Sequence, residues 1–219
     1  LDAGCDGVTL FGTTGEGPAF STGERKGLLT ALLAGGVRAD QIVVTTSASA
    51  LPDAIELGRH ASSLGCHRQM FMPPFYFRNP PEAGVIASVS QVIRGIGDPK
   101  LKLLLYHIPQ TVKVKVTPPF VRKLANDGVI VGLKDSQNDL EWFRKVLVDA
   151  KQDGVNLRAF LGCTGLIDVA TYAGGSGAIN HWYDRDIDVQ MGRTADRPVA
   201  SGRVSPRAAL TFGLMLGAV

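Results

Sequence analysis

The chain has 219 residues and a mass of 23.2 kDa, enough for one domain with a proper core or for two small domains. Its residues are 45% hydrophobic and 20% charged, values near the globular average that argue against a disordered chain or a coiled coil. The formal charge of +3 at neutral pH is too small, and too scattered along the chain, to predict a nucleic-acid partner.

The three cysteines, Cys5, Cys66 and Cys163, are an odd number and show no C-x-x-C spacing. This pattern argues against a disulfide framework and a thiolate metal site, and it favours a reducing compartment. The histidines have no mutual spacing for metal ligation, so we expect no metal and no cofactor. No apolar run reaches the roughly 20 residues of a membrane span, and no signal peptide is visible. We therefore expect a cytoplasmic protein without a membrane partner.

Short apolar runs rich in β-branched residues alternate with helix-like stretches along the chain. Near-continuous apolar strands of this kind are typical of a parallel sheet covered on both faces. The predicted strands are 7–11, 41–46, 68–72, 101–108, 129–133, 157–161 and 176–179. The predicted helices are 22–33, 52–64, 81–94, 118–125, 140–150 and 165–172. Ser21 and Thr117 stand where they can cap the first and the fourth of these helices.

Successive predicted strands begin roughly 30 residues apart, which is the length of one βα unit. Seven such units predict an α/β fold, either a (β/α)₈ TIM barrel that lacks one strand or an open doubly wound sheet. Residues 1–180 form this core in both cases. Residues 181–219 lose the periodicity and form an atypical C-terminal segment for which the pattern predicts no definite structure.

In both architectures the chemistry lies at the carboxyl ends of the strands. The first predicted strand is followed by Gly12-Thr13-Thr14-Gly15-Glu16-Gly17. Small hydroxyl residues between glycines let backbone N–H groups approach a carboxylate or phosphate closely. The alternative is an ordinary glycine-rich turn that leads into the first helix.

Two further side chains stand at strand ends. Tyr106 lies near the end of the predicted strand 101–108, where it is either a proton shuttle or a half-buried aromatic residue. Lys134 directly follows the predicted strand 129–133. It is either a surface lysine at the mouth of the site or an amine kept neutral by burial, which can form a Schiff base with a ketone.

Four motifs occur in one order along the chain: Gly12–Glu16, Pro73–Tyr76, Tyr106–Pro109 and Gly132–Asp135. Together they resemble the dihydrodipicolinate synthase and N-acetylneuraminate lyase family of Schiff-base (class I) aldolases, over about residues 1–180. The resemblance implies a (β/α)₈ TIM barrel, here lacking the first strand and helix, and a substrate that is pyruvate or another 2-keto acid. It also implies a homodimer or a homotetramer.

The resemblance further implies roles for individual residues. Lys134 matches the Schiff-base lysine, and Tyr106 matches the tyrosine that relays protons. Thr13 and Thr14 match the pair that holds the keto-acid carboxylate and joins the relay. Tyr76 resembles the tyrosine that reaches across a dimer to complete the relay of the neighbouring subunit.

Gly162 and Ile179 correspond to positions that line the bound keto acid, and Thr111 departs from the family pattern. The synthase usually has an arginine at the position of Thr111 that grips the carboxylate of the second substrate, and threonine cannot form such a bidentate clamp. A sugar-acid aldolase, lyase or dehydratase is therefore at least as well supported as dihydrodipicolinate synthase. The alternatives are a non-catalytic keto-acid-binding member of the fold and an inactive truncated chain.

Overall fold

Strands and helices alternate along the chain in the order that the apolar runs predict. The computed structural model describes residues 7–114, 116–137, 139–162 and 199–209. The strands are β1 (Val8–Leu10), β2 (Ile42–Thr45), β3 (Arg68–Phe71), β4 (Lys102–His107), β5 (Gly132–Asp135) and β6 (Arg158–Leu161). The α-helices are α1 (Thr22–Ala34), α2 (Leu51–Ser63), α3 (Glu82–Ile96), α4 (Pro109–Val112), α5 (Pro118–Asn126) and α6 (Leu140–Gln152).

The strands form one six-stranded sheet in which each strand lies beside the next along the chain, from β1 to β6. The first four pair in parallel, with Val8 opposite Ile42 and Met70 opposite Leu104. Parallel neighbours need a crossover connection, and α1, α2 and α3 supply it between these strands. The result is a mixed α/β fold with parallel strands.

Tertiary contacts divide the chain into two units. The first comprises Leu1–Lys134 with Glu141–Phe160, and the second comprises Asp135–Leu140 with Leu161–Val219. The boundary at residue 180 and the absence of a first strand and helix both stay predictions. The strand predicted at 176–179 and the helix predicted at 165–172 lie outside the described residues. Across the described residues, no helix is both long and apolar enough to cross a membrane.

The predicted helix starts are confirmed at α1 and α5, because their capping side chains form the expected hydrogen bonds. Ser21 Oγ accepts a hydrogen bond from the Glu24 N–H, and the Glu24 carboxylate accepts one from the Ser21 N–H, at 3.3 and 2.9 Å. Thr117 Oγ1 accepts from the Phe120 N–H at 3.3 Å. These caps satisfy backbone donors that have no partner within the helix.

The fifth strand begins later in the chain than predicted, which changes the position of Lys134 relative to the strand. The apolar run 129–133 suggested a strand there, but β5 comprises Gly132–Asp135, so Lys134 lies within the strand and not after it. The N–H groups of Val129 and Ile130 both donate to the carbonyl of Leu124 in α5. These two residues therefore belong to the turn that ends the helix, although their side chains pack on the core.

Two glycines allow α2 and α3 to pack closely. A Cβ added at Gly58 would lie 2.4 Å from the Ile96 side chain, and one added at Gly95 would lie 2.5 Å from the Ile55 side chain. Buried side chains from both helices and from β3 and β4 form the main hydrophobic cluster under this contact, among them Ala54, Val89 and Leu105. This packing fixes β4, the strand that carries Tyr106.

Candidate active site

Three of the predicted site residues meet in the first unit. Thr13 lies in the loop after β1, Tyr106 lies near the end of β4, and Lys134 lies in β5. Thr13 Oγ1 and Tyr106 Oη are 3.1 Å apart, at hydrogen-bond distance. Lys134 Nζ lies over the face of the Tyr106 ring, 4.3 Å from its centroid. A hydroxyl, a phenol and an amine are thus in one place.

The hydrogen bond between Thr13 and Tyr106 agrees with a curled sheet. Thr13 follows β1, whereas Tyr106 lies in β4, and β2 and β3 stand between these strands in the sheet. Neighbouring strands are about 4.8 Å apart, so in a flat sheet β1 and β4 would be about 14 Å apart. The loop after β1 covers part of that gap, and strands whose carboxyl ends curve toward each other cover the rest. The strands of this unit therefore form part of a barrel.

Tyr106 is held rigidly because both faces of β4 are packed. Its side chain is only 2% exposed, and the next residue, His107, is buried on the opposite face of the strand. His107 stacks on Trp142 of α6, with ring centroids 4.4 Å apart. The Trp142 Nε1–H in turn donates to the carbonyl of Val116 at 3.1 Å. A strand anchored in this way presents the Tyr106 hydroxyl with little freedom.

Thr13 owes its position to a tight loop. Phe11, just before the loop, has a φ of 59°, which is the left-handed region that a bulky residue rarely adopts. The Gly17 N–H donates to the carbonyl of Gly12 at 3.1 Å, and the Glu16 N–H donates to that of Thr13 at 3.2 Å. The loop thus folds back on itself and directs Thr13 toward Tyr106.

Gly17 is expected to be indispensable to this loop. A Cβ at Gly17 would lie 2.0 Å from the carbonyl oxygen of Phe11, which is backbone and cannot move aside cheaply. We expect Gly17→Ala to lower the free energy of unfolding by about 1–3 kcal/mol, the usual cost of overpacking. Gly27→Ala on α1 is the matched control, because nothing lies within 4 Å of a Cβ there. It should raise stability by about 0.5–1 kcal/mol, and equal effects of the two variants in chemical denaturation would contradict the prediction.

Of the remaining predicted site residues, four lie within the described part of the chain. Thr14 is exposed in the loop beside Thr13, and Thr111 is exposed on α4, a short helix that the sequence pattern did not predict. Tyr76 is 74% exposed, and its ring meets that of Phe77 edge to face, with centroids 5.0 Å apart. Gly162, in the second unit, donates its N–H to the carbonyl of Asp135 at 2.6 Å. Ile179 lies outside the described residues.

Sequence reasoning missed one buried charge near the site, that of Arg25. The side chain is 4% exposed, and burial lowers the pKa of its guanidinium to about 10, so it stays charged at neutral pH. The available signal was its spacing from Leu29, since residues four apart share one face of a helix and Leu29 is apolar. A charged residue on the apolar face of α1 predicts a buried side chain whose charge has hydrogen-bond partners inside the protein.

The arrangement is suited to carbonyl chemistry. An amine can add to a ketone, and a phenol hydrogen-bonded to a second hydroxyl can give and take protons. In the described ranges, no three His, Cys, Asp or Glu side chains come together as metal ligands would.

Two curated relatives are similar to this chain over most of its length. An uncharacterized DapA-like lyase of Chloroflexus aurantiacus is 37% identical over 180 residues, which are 81% of this chain and 58% of the relative. The 4-hydroxy-tetrahydrodipicolinate synthase of Acidothermus cellulolyticus is 34% identical over 199 residues, or 86% of this chain and 63% of that protein. The chain thus spans about three fifths of the length of these curated relatives.

Solved structures match the fold. Dihydrodipicolinate synthase from Agrobacterium tumefaciens has a TM-score of 0.69 at 29% identity, covering 81% of this chain and 59% of that one. The prophage protein YagE of E. coli K12, in complex with pyruvate, has a TM-score of 0.73 at 21% identity, covering 98% of this chain and 70% of that one. The sequence model of the Dihydrodipicolinate synthetase family matches residues 1–184. With that match over most of its residues, the chain belongs to the dihydrodipicolinate synthetase family.

Proposed function

We propose that this chain acts as a Schiff-base aldolase or lyase on pyruvate or another 2-keto acid, with Lys134 as the nucleophile. The observation that carries the proposal is the contact of three groups: Thr13 Oγ1 lies 3.1 Å from Tyr106 Oη, and Lys134 Nζ lies over the same tyrosine ring. Each group comes from a different strand or strand end. Family membership supports the same chemistry.

In the proposed reaction, the neutral amine of Lys134 adds to C2 of the keto acid, and the carbonyl oxygen becomes a hydroxyl. That hydroxyl leaves as water when the C=N bond forms. Tyr106 Oη gives and takes the protons that these steps consume and release, and Thr13 Oγ1 exchanges protons with Tyr106 Oη through their hydrogen bond. The imine then withdraws electrons from C3, so a C3–C4 bond can break to release an aldehyde or form in the reverse direction.

The other predicted residues have proposed roles around the bound keto acid. Thr13 and Thr14 would hold its carboxylate, while Gly162 and Ile179 would line it. Tyr76 would enter the relay of a second copy in a cytoplasmic homodimer or homotetramer. The 74% exposure of its side chain in the single chain supports that assignment, because a large aromatic residue gains most by being covered.

Trapping the imine tests the proposal. The protein is incubated with pyruvate and borohydride, which reduces a C=N bond to a stable amine. Intact and peptide mass spectra should show a mass increase equal to pyruvic acid less one oxygen atom, located on Lys134. An unmodified protein, or an adduct on an exposed lysine only, would contradict the proposal and favour a non-catalytic, keto-acid-binding chain.

The second substrate is addressed by a panel of 2-keto-3-deoxy sugar acids assayed for pyruvate release. Thr111 is exposed on α4, directly after the strand that carries Tyr106, and has no charge with which to grip a second carboxylate. We therefore propose a sugar-acid aldolase, lyase or dehydratase alongside the synthase. Pyruvate release from a sugar acid supports the former. Condensation of pyruvate with aspartate semialdehyde, without activity on the panel, would contradict it.

A further inference from the structure

Arg25 is a buried charge on α1 whose contacts reach the edge of the proposed site. Its Nη1–H donates to the carbonyl of Ser47 at 2.9 Å, its Nη2–H donates to the carbonyl of Thr45, and its guanidinium lies 5.2 Å from the ring centroid of Phe11. Removing a charge from water is costly even when it is hydrogen-bonded, and an apolar side chain could fill the same space without that cost. Packing alone therefore does not explain why a guanidinium is buried at this position.

The contact with Phe11 lies at the start of the loop that carries Thr13. Phe11 adopts a left-handed conformation with a φ of 59°, which the surrounding structure must hold in place. The guanidinium packs on the ring of Phe11 from one side, and Gly17 packs against its main chain. Thr13 is two residues further along, so a shift of Phe11 moves the Thr13 hydroxyl.

The two carbonyl contacts lie at the carboxyl end of β2, which is itself joined to β3. Ser47 Oγ accepts a hydrogen bond from the Met72 N–H at 2.8 Å, and the Thr46 N–H donates to the carbonyl of Met70 at 2.9 Å. Arg25 therefore joins the end of β1 directly to the end of β2 and, through Ser47, to the end of β3. Of these strands, β2 and β3 stand between β1, which leads to Thr13, and β4, which carries Tyr106.

We propose that Arg25 is a positioning residue that keeps Thr13 within hydrogen-bond reach of Tyr106. A planar guanidinium suits this task because it donates to two carbonyls in fixed directions while its face covers an aromatic ring. The catalytic consequence of the inference rests on the proposed function. Its structural part, the geometry of the pair formed by Thr13 and Tyr106, does not depend on it.

Four variants test the proposal: Arg25→Met, which keeps the length and removes the charge; Arg25→Lys, which keeps the charge but not the fork; Thr13→Val; and Lys26→Met. Lys26 is the next residue of α1 and pairs with Glu56 at the surface, so its loss controls for a charge removed from the same helix. The chain is labelled with ¹³Cζ-tyrosine, and the resonance of Tyr106 is assigned by its loss in Tyr106→Phe.

We expect Arg25→Met to shift the Tyr106 resonance in the same direction as Thr13→Val, and Arg25→Lys to give a smaller shift. Lys26→Met should leave it in place. The rate of borohydride trapping with saturating pyruvate should fall about tenfold or more in Arg25→Met, because small displacements of a catalytic group cost rate. The trapping rate of Lys26→Met should equal that of the chain without substitutions.

A purely structural Arg25 gives a different result. In that case Arg25→Met lowers the melting temperature but leaves the Tyr106 resonance and the trapping rate of the folded protein unchanged, and the proposal is wrong. If Arg25→Met does not fold, an unshifted resonance in Arg25→Lys contradicts the proposal equally. If the unmodified chain traps no pyruvate, the proposed function fails while the resonance still decides the role of Arg25.

Discussion

Lys134→Ala is expected to abolish the pyruvate adduct and to lower any turnover by about 10³-fold or more, since no other group can replace a covalent nucleophile. Lys134 is the lysine whose amine lies 4.3 Å from the centroid of the Tyr106 ring, in the strand beside β4. The measurement is the adduct mass after borohydride reduction, with circular dichroism to establish that the variant is folded.

Two further variants test whether the amine of Lys134, and not another lysine, is the nucleophile. Lys134→Arg places a permanently charged guanidinium where the amine stands, so the variant should remain folded and form no adduct. Lys123→Ala removes an exposed lysine of α5 that pairs with Asp127, and its labelling should equal that of the unmodified chain. A full adduct in either Lys134 variant would place the Schiff base elsewhere and overturn the assignment.

Tyr106→Phe is expected to slow imine formation about 10²- to 10³-fold, the range over which a positioned acid–base group contributes. The phenyl ring keeps its packing between β4 and Lys134, and only the hydroxyl that meets Thr13 is lost. The loss of stability should be no more than about 1 kcal/mol, since the Thr13 hydroxyl is only half-buried and water can reach it. Single-turnover trapping with saturating pyruvate measures the rate, and thermal unfolding measures the stability.

A double-mutant cycle with Thr13→Val examines whether the two hydroxyls act as one unit. If protons pass along the hydrogen bond between them, the double variant should be little slower than Tyr106→Phe alone. Thr13→Ser keeps the hydroxyl and should restore most of the rate that Thr13→Val loses. If the increases in activation free energy of the two single variants simply add in the double variant, Thr13 does not take part in the proton transfer through Tyr106.

Local sequence signals predicted much of the fold because their causes are local. The hydroxyl and carboxylate that cap α1 lie three residues apart, so Ser21, next to the first turn, predicted the helix start directly. Apolar runs predicted β2 to β4 because a strand covered on both faces needs such residues at nearly every position. The same rule failed at β5, where the side chains of Val129 and Ile130 pack on the core but their N–H groups bond to α5. Burial and strand pairing are separate requirements, and composition reports only burial.

In the sequence, the candidate site residues stand at the ends of separate predicted strands. The order of the four motifs predicted which of these residues share one site. The sequence by itself thus determined the family, the alternation of strands and helices, and the identity of Lys134, Tyr106 and Thr13 as candidates. Only the tertiary structure decided that Thr13 meets Tyr106, because that contact depends on the curvature of a sheet across two intervening strands. It also decided that Arg25 is buried, because the carbonyls and the ring that surround its guanidinium come from the ends of β1 and β2, outside α1 in sequence.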